Sequence, residues 1–212
     1  ISRAVHHLPH RLFPHMAVRP NETNANDRNL PARAKPRPCN VAYVRRCEED
    51  SSQYNLDNLI KSPKYNNLLE VSRSCIHKDH RNKNVLQSMW KEIHRYVISN
   101  KIQGLFGTAS FLHTDYKKIE DELIYLQQNF LMNKEVEVTA NPKMSINIDY
   151  NKKVKPSLKL IKNLPTLIKG YMKLNAKIGN GAIIDPKFKT IDIFVFVEFN
   201  KIDTKYLEKF SY

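Results

Sequence analysis

Glu70 and Arg73 carry opposite charges three residues apart in the apolar run 68–76, LLEVSRSCI. The run reads as a buried strand. Successive strand side chains alternate, so the two face opposite sides of a sheet and do not form a simple pair. Each is free to meet a different partner: a substrate, or a neighbouring strand in a buried structural ion pair. The run leads through a basic loop, 77–84, into an amphipathic helix. That helix carries Val85, Leu86, Met89, Trp90, Ile93, Tyr96 and Val97 on one face. A strand, a polar turn and a helix present free N–H groups and a favourable dipole to a phosphate-bearing ligand. Arg81 and Lys83 either add charge to such a site or are solvated loop cations.

Other residues with chemical potential stand further along. Ser110 ends and His113 follows a second apolar run, GLFGTAS, where an α/β sheet carries its sites at the carboxyl ends of strands. His113 is a candidate proton shuttle, although capping is the commoner use of such a histidine. Asp192 lies early in the apolar run 190–199, where an acid needs a partner. Asp185 before Pro186 reads as turn chemistry. Lys169 and Tyr171 either touch a ligand or pack. Cys39, Cys47 and Cys75 are odd in number and scattered, which fits reduced thiols in a cytosol. No CxxC pair occurs, and His6, His7, His10 and His15 have no acidic or thiol ligands nearby, so no metal is expected.

The elements that would position these residues occupy only part of the chain. Residues 1–50 hold eight Arg and one Lys, whereas residues 51–212 hold three Arg and 23 Lys. The first segment also holds six of the 11 prolines and no glycine. It shows neither a helical nor a strand period and too little apolar content to offset its ordering entropy. It reads as an irregular basic segment outside the folded domain. A basic arm, a targeting peptide and foreign or out-of-frame sequence all fit, and the contrast of Arg-rich with Lys-rich chain favours the last. Residues 51–212 read as one domain.

Within that domain, residues 53–60 form a short turn or helix. Strand 68–76, the helix after it and strand 104–110 form a parallel pair through a helical crossover. Residues 115–131 form a helix striped by Tyr116, Ile119, Leu123 and Phe130. Residues 133–162 are polar and irregular, with room for one edge strand. A helix starts at Pro165 and runs to about Ala176. Gly179 and Gly181 mark a turn, and 190–199 is a central strand. The pattern is an α/β fold, a mixed β-sheet flanked by helices.

The strand–loop–helix, the GLFGTASF strand end and the tail LIKGYMKLNAKIGNGAIIDPKFKTIDIFVFVEF occur in an order that resembles one family. It is the ornithine N-acyltransferase, or hemolysin-like, family of the GNAT acyltransferase superfamily, and the resemblance covers residues 52–210. The tail, with KGY, the Gly-Asn-Gly turn and DPxFxTxD, is its most specific part. An E-x-x-R strand also resembles acyl-homoserine-lactone synthases. The resemblance implies a loop and helix start, Arg81, Asn82, Lys83, Asn84 and Val85, that cradles the donor's phosphate. Lys169 and Tyr171 would assist. The superfamily's glycines are replaced by Asn84 and Leu86, which points to acyl carrier protein more than to free coenzyme A as the donor of the acyl thioester. Acyl transfer to an amine needs a base and oxyanion donors. Glu70, Arg73 and His113 are the candidate catalytic residues, and Ser110 and Asp192 the candidates to bind the acceptor that the resemblance implies, ornithine or a similar amino acid.

The net charge of +14 and pI near 9.7 fit an acidic carrier protein and an anionic membrane surface. They also fit nucleic acid, but the aromatics follow core periods and make no stacking ladder. Only about 70 residues precede Glu70, where the family has roughly a hundred. A truncated sheet is therefore expected, missing its N-terminal strands and exposed at the edge of strand 68–76, with activity in doubt.

Overall fold

The computed structural model describes residues 4–7, 42–43, 53–71, 75–76 and 83–208. The described strands are β1 (Ala4–His7), β2 (Ala42–Tyr43), β3 (Tyr54–Asn55), β4 (Asn67–Glu70), β5 (Cys75–Ile76), β6 (Gly104–Phe111), β7 (Thr139–Ala140), β8 (Lys177–Asp185) and β9 (Thr190–Glu198). The described α-helices are α1 (Asp57–Lys61), α2 (Lys83–Ser99), α3 (Glu120–Phe130), α4 (Leu158–Asn163), α5 (Thr166–Lys173) and α6 (Thr204–Leu207). Seven strands form one mixed sheet in the order β1-β4-β6-β9-β8-β7-β3, and β2 pairs with β5 apart from it.

The mixed sheet with flanking helices is the architecture that the sequence predicts. β4 and β6 are parallel, joined by α2, with Leu68 opposite Gly104 and Glu70 opposite Phe106. Gln103 helps to set that register, because its Oε1 accepts from the N–H groups of Asn66 and Asn67 at 2.6 and 3.2 Å. β9 is central, antiparallel to β6 along its whole length and to β8 on the other side.

Four expectations are corrected. The run 68–76 is not one strand: β4 ends at Glu70, and Cys75–Ile76 pairs with Ala42–Tyr43. An apolar run does not say which neighbour each of its residues will find. β4 is also not an exposed edge, since Ala4–His7 lies parallel beside it. Gly179 and Gly181 do not reverse the chain but sit within β8. A Cβ on Gly179 would lie 2.8 Å from the Val138 carbonyl oxygen, and Gly181 has φ +87° at a register shift between Ile178 and Ala182. The glycines serve a close approach and a bulge, while the reversal falls at 186–189. Finally, the polar stretch 133–162 is not irregular throughout: its one strand, β7, lies between β8 and β3 and not at the edge, and the stretch also holds most of α4.

Two cores lie on opposite faces of the sheet. Met89, Ile93 and Val97 of α2, Leu123, Ile124 and Leu126 of α3, and Ile168 of α5 cover one face, against Leu69, Leu105, Val195 and Val197. Tyr54, Leu59, Leu68, Phe106, Phe194 and Phe196 fill the other. Each fully buried aliphatic side chain contributes about 1.5–3 kcal/mol relative to exposure, so α2 and α5 are held by their stripes. Among the described residues, no helix is long and apolar enough to cross a membrane.

Candidate active site

The site begins where β4 stops pairing. The N–H of Val71 donates to the carbonyl of Phe106 at 2.7 Å, the last bond of the β4–β6 ladder among the described residues. β6 continues for five more residues, to Phe111. Backbone groups of alternate strand residues point to alternate edges. Phe106 faces β4, so Thr108 and Ser110 turn their N–H and C=O groups toward the same edge. Among the described residues, β4 supplies no partner there.

A narrow apolar cleft adjoins this edge. Val71, Trp90, Leu105, Gly107, Thr108, Tyr171, Leu174 and Val195 help to line it. Its volume is only about 20 Å³, so it is a slot and not a chamber. Its roof is Trp90 from α2 and Tyr171 from α5, edge to face with centroids 6.2 Å apart. Burial pushes the Tyr171 phenol up to about 12, so it is a neutral O–H near pH 7. Trp90 and Leu174 escape sequence reasoning as site residues. Trp90 sits in the α2 stripe, which reads as core; its being the only tryptophan is the one signal that sets it apart.

Glu70 is buried, 6% exposed, on the opposite face of the sheet from Val71. It stands beside Phe106. Ser110 and Asp192 are direct partners across β6 and β9, and Asp192 is also buried. The Tyr54 hydroxyl donates to the Asp192 carbonyl oxygen at 2.8 Å. Thr190, two residues before, is 6% exposed, and its hydroxyl has no hydrogen-bond partner among the described residues. Ser110 and Asp192 are therefore together, whereas Glu70 lies in another row.

The remaining sequence candidates divide by position. His113 is exposed beyond the end of β6. The Lys169 ammonium donates to the Lys162 carbonyl at 3.1 Å, an exposed tie between α5 and α4, while its neighbour Tyr171 faces the cleft. Asp185 is turn chemistry as read: its Oδ1 accepts from the N–H groups of Lys187 and Phe188 at 2.9 and 3.0 Å. Gln53 donates to its other oxygen at 3.4 Å. Lys83 and Asn84 open α2, with Val85 half-buried. Arg73, Arg81 and Asn82 lie outside the described residues. Among the described residues, no group of three or more His, Cys, Asp or Glu is placed to hold a metal ion.

Two other buried polar side chains are structural. Glu122 accepts from the Asn163 amide at 3.1 Å, tying α3 to α4. Gln127 bonds the Asn180 side chain and the Gly181 N–H, bracing the β8 bulge.

A family model described as an acetyltransferase (GNAT) domain matches residues 27–91. That span covers β4, β5 and the first half of α2, and it begins inside the Arg-rich segment. The parallel β4–α2–β6 unit and β9 between β6 and β8 form a GNAT-like mixed α/β sheet, which agrees with that match.

The chain is similar to proteins named as ornithine acyltransferases. The L-ornithine N(alpha)-acyltransferase of Rhizobium meliloti is 28% identical over 163 residues, 76% of this chain and 55% of the relative. That of Rhodobacter capsulatus is 29% identical over 144 residues, 68% of this chain and 55% of the relative. That of Brucella abortus is 29% identical over 162 residues, 76% of this chain and 58% of the relative. The chain thus spans little more than half the length of these relatives. No solved structure matches it.

Proposed function

We propose that the chain is the acyl-transferring part of an N-acyltransferase. It moves a fatty acyl group, including 3-hydroxy acyl, from the phosphopantetheine thioester of acyl carrier protein to the α-amine of ornithine or a similar amino acid. The product is a membrane lipid or its precursor. The observation that carries this reading is the β6 edge beyond Phe106, unpaired among the described residues, beside the apolar slot. Thr108 and Ser110 offer strand-type hydrogen-bonding groups there, which suit the two amides of a pantetheine arm. The slot roofed by Trp90 and Tyr171 suits the apolar part of the donor. The names of the relatives support ornithine as the acceptor.

The amine nitrogen attacks the thioester carbonyl, the C–S bond breaks, and the thiol leaves with a proton. Glu70 takes the amine's proton, directly or through water. Arg73 holds the acceptor's carboxylate or the donor. Arg81, Lys83 and the first N–H groups of α2 attract the donor phosphate. The chain's positive charge favours an acidic carrier protein and an anionic membrane.

The test is to incubate the purified chain with ornithine and an acylated carrier protein, or with the matching coenzyme A thioester, and to detect N-acylornithine by mass spectrometry. The carrier protein thioester is the better donor in this reading. Glu70→Gln lowers turnover about 100-fold or more with the fold retained. Unchanged turnover removes Glu70 from the mechanism, and no product from either donor overturns the reading.

A further inference from the structure

We infer that the α4–α5 corner is a docking surface for an anionic membrane. Residues 150–184 contain eight lysines and no Asp or Glu, the longest acid-free stretch of the chain. Three large aliphatic side chains stand out of the protein within it: Leu158 is 79% exposed, Ile161 38% and Leu167 48%. Leu158 and Ile161 are three apart and share the outer side of α4. Leu160 and Leu164 turn inward and are buried, as is Ile168 of α5. The inner side of each helix is thus committed to the core, and the outer aliphatics support no packing that the fold needs.

Most of the lysines around them make no ion pair among the described residues. Lys152 is engaged by Glu120 at 3.2 Å and Asp121 at 2.9 Å. Lys153, Lys155, Lys159, Lys162 and Lys173 are exposed and make no ion pair among the described residues. Lys159 and Lys162 alternate with Leu158 and Ile161 along one helix.

This alternation selects the partner. Nucleic acid engages cations and ring faces but gains nothing from isolated aliphatic tips. A bilayer interface uses both: aliphatic side chains enter the acyl boundary, and lysine stems run along it while their ammonium groups reach lipid phosphates. The same corner borders the slot, since Tyr171 of α5 forms its roof. Docking there sets the slot beside the lipid phase. That consequence, unlike the docking itself, rests on the acyltransferase reading.

The experiment uses the full chain with no donor or acceptor, so its outcome is independent of any catalytic result. Vesicles of phosphatidylcholine alone and of phosphatidylcholine mixed with phosphatidylglycerol are sedimented with the protein. The wild type is expected to bind the mixed vesicles, to leave the neutral ones, and to be released by salt. Leu158→Ser with Ile161→Ser and Leu167→Ser, and separately Lys155→Gln with Lys159→Gln and Lys162→Gln, each lower the partition coefficient by roughly tenfold or more. Circular dichroism checks that the variants fold. A control set on other surfaces, Lys101→Gln with Lys134→Gln and Lys143→Gln, retains binding. The inference is overturned if the wild type stays with the supernatant, or if the aliphatic variant binds as the wild type does. It is equally overturned if the control set loses as much as the corner set, or if an acidic carrier protein binds this corner while the vesicles do not.

Discussion

Glu70 and Asp192 face the same side of the sheet but belong to different rows of it. Glu70 is opposite Phe106, which is opposite Phe196, whereas Asp192 is opposite Ser110. Four residues of β6 separate the rows, about 13 Å at about 3.3 Å per residue, and the acids lie two strands apart. They cannot share one proton or one small ammonium group. Replacement of the two is therefore expected to act independently. Glu70→Gln should lower kcat/KM by the same factor in the wild type and in Asp192→Asn. A double-mutant cycle checks this: a coupling above about 0.5 kcal/mol contradicts the separation.

Two glycines should respond to alanine in opposite ways. A Cβ on Gly104 would lie 2.5 and 2.6 Å from the Phe196 ring and 2.9 Å from a Leu68 methyl. Gly104→Ala should cost about 1–3 kcal/mol through overpacking at the start of β6. Gly170 lies within α5 and would meet nothing within 4 Å. Gly170→Ala should stabilise by about 0.5–1 kcal/mol through helix propensity and a more restricted unfolded chain. Urea titration of both variants reads the signs directly.

Stability should fall at high pH. Burial raises the Tyr171 and Tyr150 phenols from about 10 to about 12. The unfolded chain therefore loses these protons first as pH rises. The stabilisation is whole below pH about 10 and is lost progressively toward pH about 12. Tyr171→Phe should flatten this decline, and Tyr150→Phe with it should flatten it further. Thermal melts across that window measure the slope; an unchanged slope shows that Tyr171 is ionised as easily in the folded protein as in water.

Asp185 holds the β8–β9 reversal through two backbone N–H groups and Gln53. Asp185→Ala should cost about 1–3 kcal/mol by leaving these donors unsatisfied. Because the role is to fold the hairpin, kcat per folded molecule should change little. Activity corrected for the folded fraction separates this from a direct chemical role, which would lower kcat in the folded population as well.

Much of this fold was legible in the chain because the signals were local. The α2 stripe, the apolar runs of β6 and β9, the Asp-Pro turn and the βαβ crossover follow from periodicity and turn stereochemistry, which depend on near neighbours. The ordered tail motif likewise pointed to the ornithine acyltransferase family before any coordinates. What only the tertiary structure decided was pairing. It ended β4 at Glu70. It sent Gly179 and Gly181 into a bulge, because Val138 and Phe194 crowd one glycine and Gly181 carries the bulge. It turned Trp90 from a core residue into the roof of a slot by bringing Tyr171 against it from 81 positions along the chain. Register across strands is set by partners distant in sequence, so a period shows which face a residue takes but not which row it occupies.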